Sequence, residues 1–201
     1  FSWPLFVTSM VSFTYDWFDR ALILTFISLS QVAVYNVGFQ AFNVLSIIPF
    51  ALRTALLPYY SEQYGKDSQE SIIACVHAAT RYIALLYTPL ALGLMVTANP
   101  AITLFAGPAY SAGYIVLAIL SLMGAIGQMS SAFGPLFFVY NMTPTVLLIN
   151  ITTVGVGLLA SPILLPSLGA TGMAIIKGVV MIISLVFGMV VLWNRLPLKI
   201  D

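Results

Sequence analysis

Long uninterrupted apolar stretches constrain the fold of this chain more than any other feature. Residues 83–96 contain no charged side chain, and residues 173–193 contain only Lys177. A bilayer core of about 30 Å needs about 20 apolar residues per helix. The strands of a membrane barrel would instead alternate apolar and polar residues over segments of about ten. These runs do not alternate, so the sequence predicts membrane-spanning helices.

The scarcity of charge excludes several classes of protein. Charged residues make up 6% of the chain and hydrophobic residues 61%, whereas a soluble domain has about a quarter charged residues. We therefore exclude a soluble fold, a disordered chain and a nucleic-acid-binding protein. A single Cys75 and a single His77 exclude internal disulfides, thiolate clusters and multi-histidine metal sites. The chain has no P-loop, zinc-protease or serine-hydrolase motif, so we expect neither an enzyme nor a resident cofactor.

Turn residues divide the chain into six predicted spans, which makes it an all-α, six-helix membrane bundle. The breaks contain turn-forming pairs such as Asn99-Pro100 and Gly107-Pro108. With short loops, 201 residues leave room for about six spans. The predicted spans are approximately 3–28, 33–60, 71–97, 112–138, 144–164 and 170–193.

The distribution of Lys and Arg predicts the orientation. With six spans, the side that carries both ends also carries Lys66, Arg81, Arg195 and Lys199, and His77 is close to it. The breaks on the other side, at 28–33, 98–111 and 165–169, contain neither Lys nor Arg. By the positive-inside rule both ends are cytoplasmic, and the protein is a multi-pass protein of the cytoplasmic membrane.

Ionisable residues in the first span are the most informative polar feature. Asp16, Asp19 and Arg20 lie at helical spacings of three and four, so they share one face. Each charge inside the membrane costs about 2.5–3.5 kcal/mol on insertion scales. Three interpretations remain open at this point: a cavity lining that contacts a polar substrate or titrates a coupling ion, a self-neutralised clamp between helices, or a loop between two short helices.

Further polar candidates lie on the second and sixth spans. Asn36, Gln40 and Asn43 form a stripe on the second span, and Arg53 follows near its cytoplasmic end. The stripe predicts either a cavity lining or hydrogen bonds between helices. Lys177 lies about two turns inside the sixth span, where it either snorkels to the outer interface or faces the same cavity as Asp16 and Asp19.

Several segments resemble a known family. They are FDRALIL at 18–24 with LSQVAVYNVGF at 29–39, LPYYS at 57–61, LFAGPAYSAG at 104–113 and PSLGATGMA at 166–174. In this order they resemble the second half of the polysaccharide-biosynthesis flippases, which belong to the multidrug/oligosaccharidyl-lipid/polysaccharide exporter superfamily. Met173 stands where that family usually has Ala, and Lys177 matches no hallmark of the family.

The resemblance implies one lobe of a two-lobe exporter with 12 to 14 helices. Such exporters move lipid-linked sugars by alternating access, so the implied partners are membrane lipids, an isoprenoid-linked glycan and a missing N-terminal six-helix lobe of the same chain. The chain lacks an initiator Met, and we therefore expect a fragment of a longer protein. Arg20, Arg53 and Lys177 are the cationic groups that could meet a diphosphate.

Two other functions remain open at the level of sequence. One is a drug or metabolite exporter of the same superfamily, in which Asp16 or Asp19 takes a coupling proton or sodium ion. The other is a membrane subunit that transports nothing and only packs against partners. That subunit would have its charges neutralised against a neighbouring helix and would have no cavity, whereas a flippase needs a charged, water-accessible cavity.

Overall fold

This computed structural model describes residues 2–195, apart from the side chains of residues 2–5, 8, 9, 11, 12, 14–16, 18 and 195. The regular structure of this part of the chain is helical. Within residues 2–195, three helical segments, or four if a bent pair counts as one span, are long and apolar enough to cross a membrane. The chain is thus an all-α membrane protein. Its α-helices are α1 (Ser2–Phe26), α2 (Leu29–Leu45), α3 (Ile47–Gly65), α4 (Gln69–Val96), α5 (Ala98–Ala106), α6 (Gly113–Gly127), α7 (Leu136–Val139) and α8 (Thr143–Arg195).

The second predicted span consists of two helices that meet at a bend. The axes of α2 and α3 differ by 44° across Ser46. Pro49 in the first turn of α3 explains the break, because proline has no N–H and its ring crowds the carbonyl four residues earlier, that of Leu45. Pro58 lies inside α3 and does not end it.

The break predicted at 98–111 contains a helix. Pro100 lies in the first turn of α5, where its missing N–H costs no helical hydrogen bond. Gly107 ends this helix with a φ of 88°, and a 3₁₀ turn at Pro108–Tyr110 follows. The residues that suggested a loop therefore mark the start and the end of a short helix.

The long helix α8 reverses direction at Gly169. This residue has φ 58° and ψ −138°, outside the helical region. In a continuous helix, residues eight apart are separated by about 12 Å along the axis. Here a methyl group added to Gly172 would lie only 2.7 Å from the carbonyl oxygen of Leu164, so the chain folds back on itself. Helix continues to residue 168, through Pro166, so the predicted loop at 165–169 is reduced to a turn at Gly169.

Two core clusters fill the bundle, one towards each end of the helices. The first contains Tyr60 of α3 and Tyr87 of α4. The second contains Tyr35 of α2 and Leu117 of α6. Both halves of α8 contribute to both clusters, with Ile149 and Leu192 in the first and Leu165 and Met173 in the second. The two halves of α8 are therefore antiparallel neighbours.

Candidate functional site

The fourth predicted span is interrupted in its second half. A continuous span is predicted over 112–138, but α6 ends at Gly127, a 3₁₀ segment occupies Gln128–Ala132, and α7 begins only at Leu136. Gly134 and Pro135 explain why the α-helix does not resume before Leu136, because proline removes a backbone donor and glycine weakens a helix. The apolar character of the flanking residues concealed the break.

Polar side chains satisfy the backbone of the interrupted segment. Ser130 donates its hydroxyl hydrogen to the carbonyl of Gly127, and Ser131 donates to that of Gln128. Tyr60 of α3 donates to the carbonyl oxygen of Ala132 at 2.9 Å. Irregular backbone at membrane depth persists only where protein or a water-filled cavity supplies such partners.

A cavity of about 720 Å³ opens beside this interrupted segment. Its volume falls within the range of about 300–1,000 Å³ that is typical of ligand pockets. We call it the Arg53 cavity. Its lining residues are Ser46, Pro49, Phe50, Arg53, Gln128, Ser130, Ser131, Phe133, Gly134, Phe137, Phe138, Val146, Ile149, Asn150, Ser184 and Gly188.

Arg53 provides the cationic group of this cavity. Its side chain is exposed, and its guanidinium carbon lies 5.8 Å from the centre of the Phe138 ring, a distance at which the ring attracts a cation. On the wall, the Gln128 amide donates to the Ser46 hydroxyl at 3.4 Å. A guanidinium can bind a phosphate through two parallel hydrogen bonds, while hydroxyls and amides can both donate to and accept from sugar hydroxyls.

A second polar site, which we call the ionic cluster, joins Asp19, Tyr35 and Lys177. The ammonium of Lys177 lies 2.7 Å from Oδ2 of Asp19. Tyr35 donates its phenolic hydrogen to the same oxygen at 2.9 Å. The ring of Phe39 stacks on Tyr35 and lies 5.3 Å from the Lys177 ammonium. The cluster thus connects α1, α2 and the second half of α8.

Arg20 makes a separate contact between α1 and α2. Its Nε and Nη2 atoms donate to Oδ1 of Asn36 at 3.2 and 3.0 Å. Its guanidinium carbon also lies 5.9 Å from the centre of the Trp17 ring, which is largely exposed. Arg20 and Asn36 therefore hold α1 and α2 together beside the ionic cluster.

The remaining predicted candidates lie apart from the Arg53 cavity. Asn43 donates to the side-chain oxygen of Gln40 at 3.5 Å, and neither residue lines the cavity. Lys177 does not snorkel, because it is buried against Asp19. The side chain of Asp16 lies outside the described part of the chain. Of the seven candidates whose side chains the structure describes, Arg53 alone is among the lining residues.

Sequence analysis missed the polar residues that line the cavity together with Arg53. Gln128, Ser130, Ser131, Asn150 and Ser184 were not predicted as site residues. The signal was available around residue 130, where three polar side chains lie between Gly127 and Gly134-Pro135 in an apolar run. Such a concentration of turn-forming and hydroxyl residues indicates a discontinuous span.

Known proteins resemble this chain in sequence. Residues 1–115, more than half of it, match the sequence profile of a family described as polysaccharide biosynthesis protein. The chain is also 22% identical over 169 residues to a protein of Haloferax volcanii named probable low-salt glycan biosynthesis flippase Agl15. That alignment covers 84% of this chain and 36% of the relative, so the chain spans only about a third of the relative's length.

Proposed function

Since the chain belongs to the polysaccharide biosynthesis protein family, we propose that it is one lobe of a flippase for lipid-linked oligosaccharides. In this proposal the chain contributes six spans, and both of its ends lie on the cytoplasmic side of the cytoplasmic membrane. The reversal of α8 at Gly169 supports counting α8 as two spans. The similarity to a glycan flippase supports the choice of cargo.

The Arg53 cavity is the observation that carries this proposal. It combines one exposed guanidinium with hydroxyl, amide and aromatic side chains on four helical segments. A lipid-linked oligosaccharide presents the matching groups, namely an anionic phosphate linkage and sugar hydroxyls. Discontinuous spans often form the binding sites of transporters. A subunit that only packs against partners needs no such cavity.

A second lobe completes the transporter in this proposal. Arg53 is exposed within the bent α2–α3 segment, and hydrocarbon cannot satisfy a guanidinium. A second set of helices facing α3 would cover the charge and enclose the sugars, which a cavity on one lobe cannot do. Alternating access then consists of the two lobes rocking about this shared cavity.

Transport of a fluorescent isoprenoid-linked oligosaccharide by the complete protein in liposomes tests the proposal. Arg53→Ala should slow the initial rate by about tenfold or more, because one hydrogen bond to a charged group contributes about 1.5–3 kcal/mol. Arg53→Lys should fall between this variant and the wild type. Arg81→Ala is the matched control, since Arg81 is exposed on α4 and does not line the cavity.

Two results would contradict the proposal. One is an Arg53→Ala variant that transports at the wild-type rate. The other is a wild-type protein that moves an amphiphilic drug but not the lipid-linked oligosaccharide, which would favour the drug exporter.

A further inference from the structure

Asp19 is a carboxylate that needs a counter-charge close by. It is 1% exposed, and an unpaired charge at such a position is strongly unfavourable. The counter-charge can be an exchangeable cation, such as a sodium ion or a proton, or it can be a cation that belongs to the protein. Only an exchangeable cation can bind to Asp19 and leave it during transport.

Lys177 supplies a fixed cation at this position. Its ammonium lies 2.7 Å from Oδ2 of Asp19, at direct hydrogen-bonding distance. Lys177 is itself only 6% exposed. Tyr35 binds the same oxygen at 2.9 Å from another side. Two donors thus bind Oδ2, one of the two carboxylate oxygens through which an exchangeable cation would bind.

The surrounding helices supply few other charges. Residues 29–45 and 113–127 contain no charged residue, and residues 143–194 contain only Lys177. On α1, Arg20 donates to Asn36, and Asp16 lies one turn before Asp19 with its side chain outside the described residues. Tyr35 is the titratable group that α2 places on Asp19.

We propose that Lys177 is the resident counter-cation of a latent monovalent-cation site at Asp19. The ammonium fills the place that a sodium ion or a proton would otherwise take. Because this cation is covalently attached, it cannot cross the membrane with the cargo, and Asp19 does not couple transport to an ion gradient. The oxygens of Asp19 and Tyr35 are suitable ligands for a hard monovalent cation once the ammonium is removed. The inference holds whatever the cargo is.

Thermal unfolding of the complete protein in detergent tests this inference. Four forms are compared at constant ionic strength in sodium or choline chloride, and at two pH values: wild type, Lys177→Met, Asp19→Asn and the double variant Asp19→Asn/Lys177→Met. The wild-type midpoint should not change when sodium replaces choline. The unfolding midpoint of Lys177→Met should rise by about 3 °C or more. Sodium causes this rise if the site takes the ion, and lower pH causes it if the site takes a proton.

The double variant is the control for site-specific binding. It lacks both charges, so its midpoint should respond to neither sodium nor pH more than that of the wild type. A Lys177→Met variant that responds to neither would overturn the inference. A sodium-dependent stabilisation of the wild type that disappears in Asp19→Asn would also overturn it, because Asp19 would then already hold an exchangeable ion.

The claim that Asp19 holds a resident cation can still be tested if Lys177→Met fails to fold. Wild type and the double variant can still be titrated with sodium, and the double variant avoids an uncompensated buried charge. Equal sodium-induced shifts of the unfolding midpoint in these two proteins support a resident cation. A larger response of the wild type contradicts it.

Discussion

Tyr60 of α3 donates a hydrogen bond of 2.9 Å to the carbonyl oxygen of Ala132, within the interrupted segment between α6 and α7. Both residues are fully buried. A 3₁₀ segment leaves carbonyls without their usual helical partners, and this hydroxyl satisfies one of them. The contact therefore fixes the wall of the Arg53 cavity to α3, the helix that carries Arg53.

Tyr60→Phe should lower the free energy of unfolding by about 1–3 kcal/mol, because it leaves a buried carbonyl without a donor. Thermal unfolding in detergent measures the effect. Tyr59→Phe is the control, since Tyr59 is 40% exposed and adjacent on the same helix, and it should change stability little. Equal effects of the two substitutions would remove the proposed role of the Tyr60 hydroxyl.

Gly38 allows α2 to approach α6 closely. A methyl group at this position would lie 2.6 Å from the carbonyl oxygen of Gly113 and 2.7 Å from Cβ of Val116. Gly38→Ala should therefore destabilise the protein by about 1–3 kcal/mol through overpacking.

Gly155→Ala is the matched control for Gly38→Ala. Gly155 lies in α8, and nothing is found within 4 Å of a methyl group added there. It should be neutral or stabilising by about 0.5–1 kcal/mol, since alanine is a better helix former. A Gly38→Ala variant as stable as Gly155→Ala would show that the two helices do not pack as described.

Gly169 permits the reversal of α8. Its positive φ with ψ −138° is a conformation that residues with a Cβ rarely adopt. Gly169→Ala should cost about 1–3 kcal/mol of backbone strain, and its methyl would also lie 3.0 Å from the side-chain oxygen of Gln31. Comparing Gly169→Ala/Gln31→Ala with Gln31→Ala alone isolates the strain, because both variants lack the crowding side chain and the hydrogen bond that Gln31 accepts from the Ala170 N–H. Equal unfolding midpoints of these two variants would contradict the strain argument.

Hydrophobic periodicity and turn residues predict much of this fold. Apolar runs between turn signals predicted the helices, and they predicted the break before Gln69 and the one near Gly169. The same signals misplaced the boundaries where proline begins a helix, as at Pro49 and Pro100. Position within the helix decides whether a proline interrupts it, and composition alone does not give that position.

The contact between Asp19 and Lys177 shows where sequence reasoning ends. The spacing of Asp16, Asp19 and Arg20 placed Asp19 on a polar helix face, and Lys177 was predicted about two turns inside an apolar span. Both residues were therefore candidates. Periodicity gives the face of a helix but not the neighbour that covers it, and these two residues are 158 positions apart. Whether they were partners, and whether Lys177 snorkelled, therefore depended on packing that only the structure supplies.

Photo-cross-linking of the cargo inside the Arg53 cavity tests the central claim most directly. A photoreactive amino acid replaces Asn150, which lines the cavity, or Thr152, which is exposed two residues later on the same helix. With an isoprenoid-linked oligosaccharide, labelling should be much stronger at position 150, be competed by unlabelled cargo, and be lost on Arg53→Ala. Equal labelling at both positions, or labelling at 150 that is insensitive to Arg53→Ala, would contradict the account.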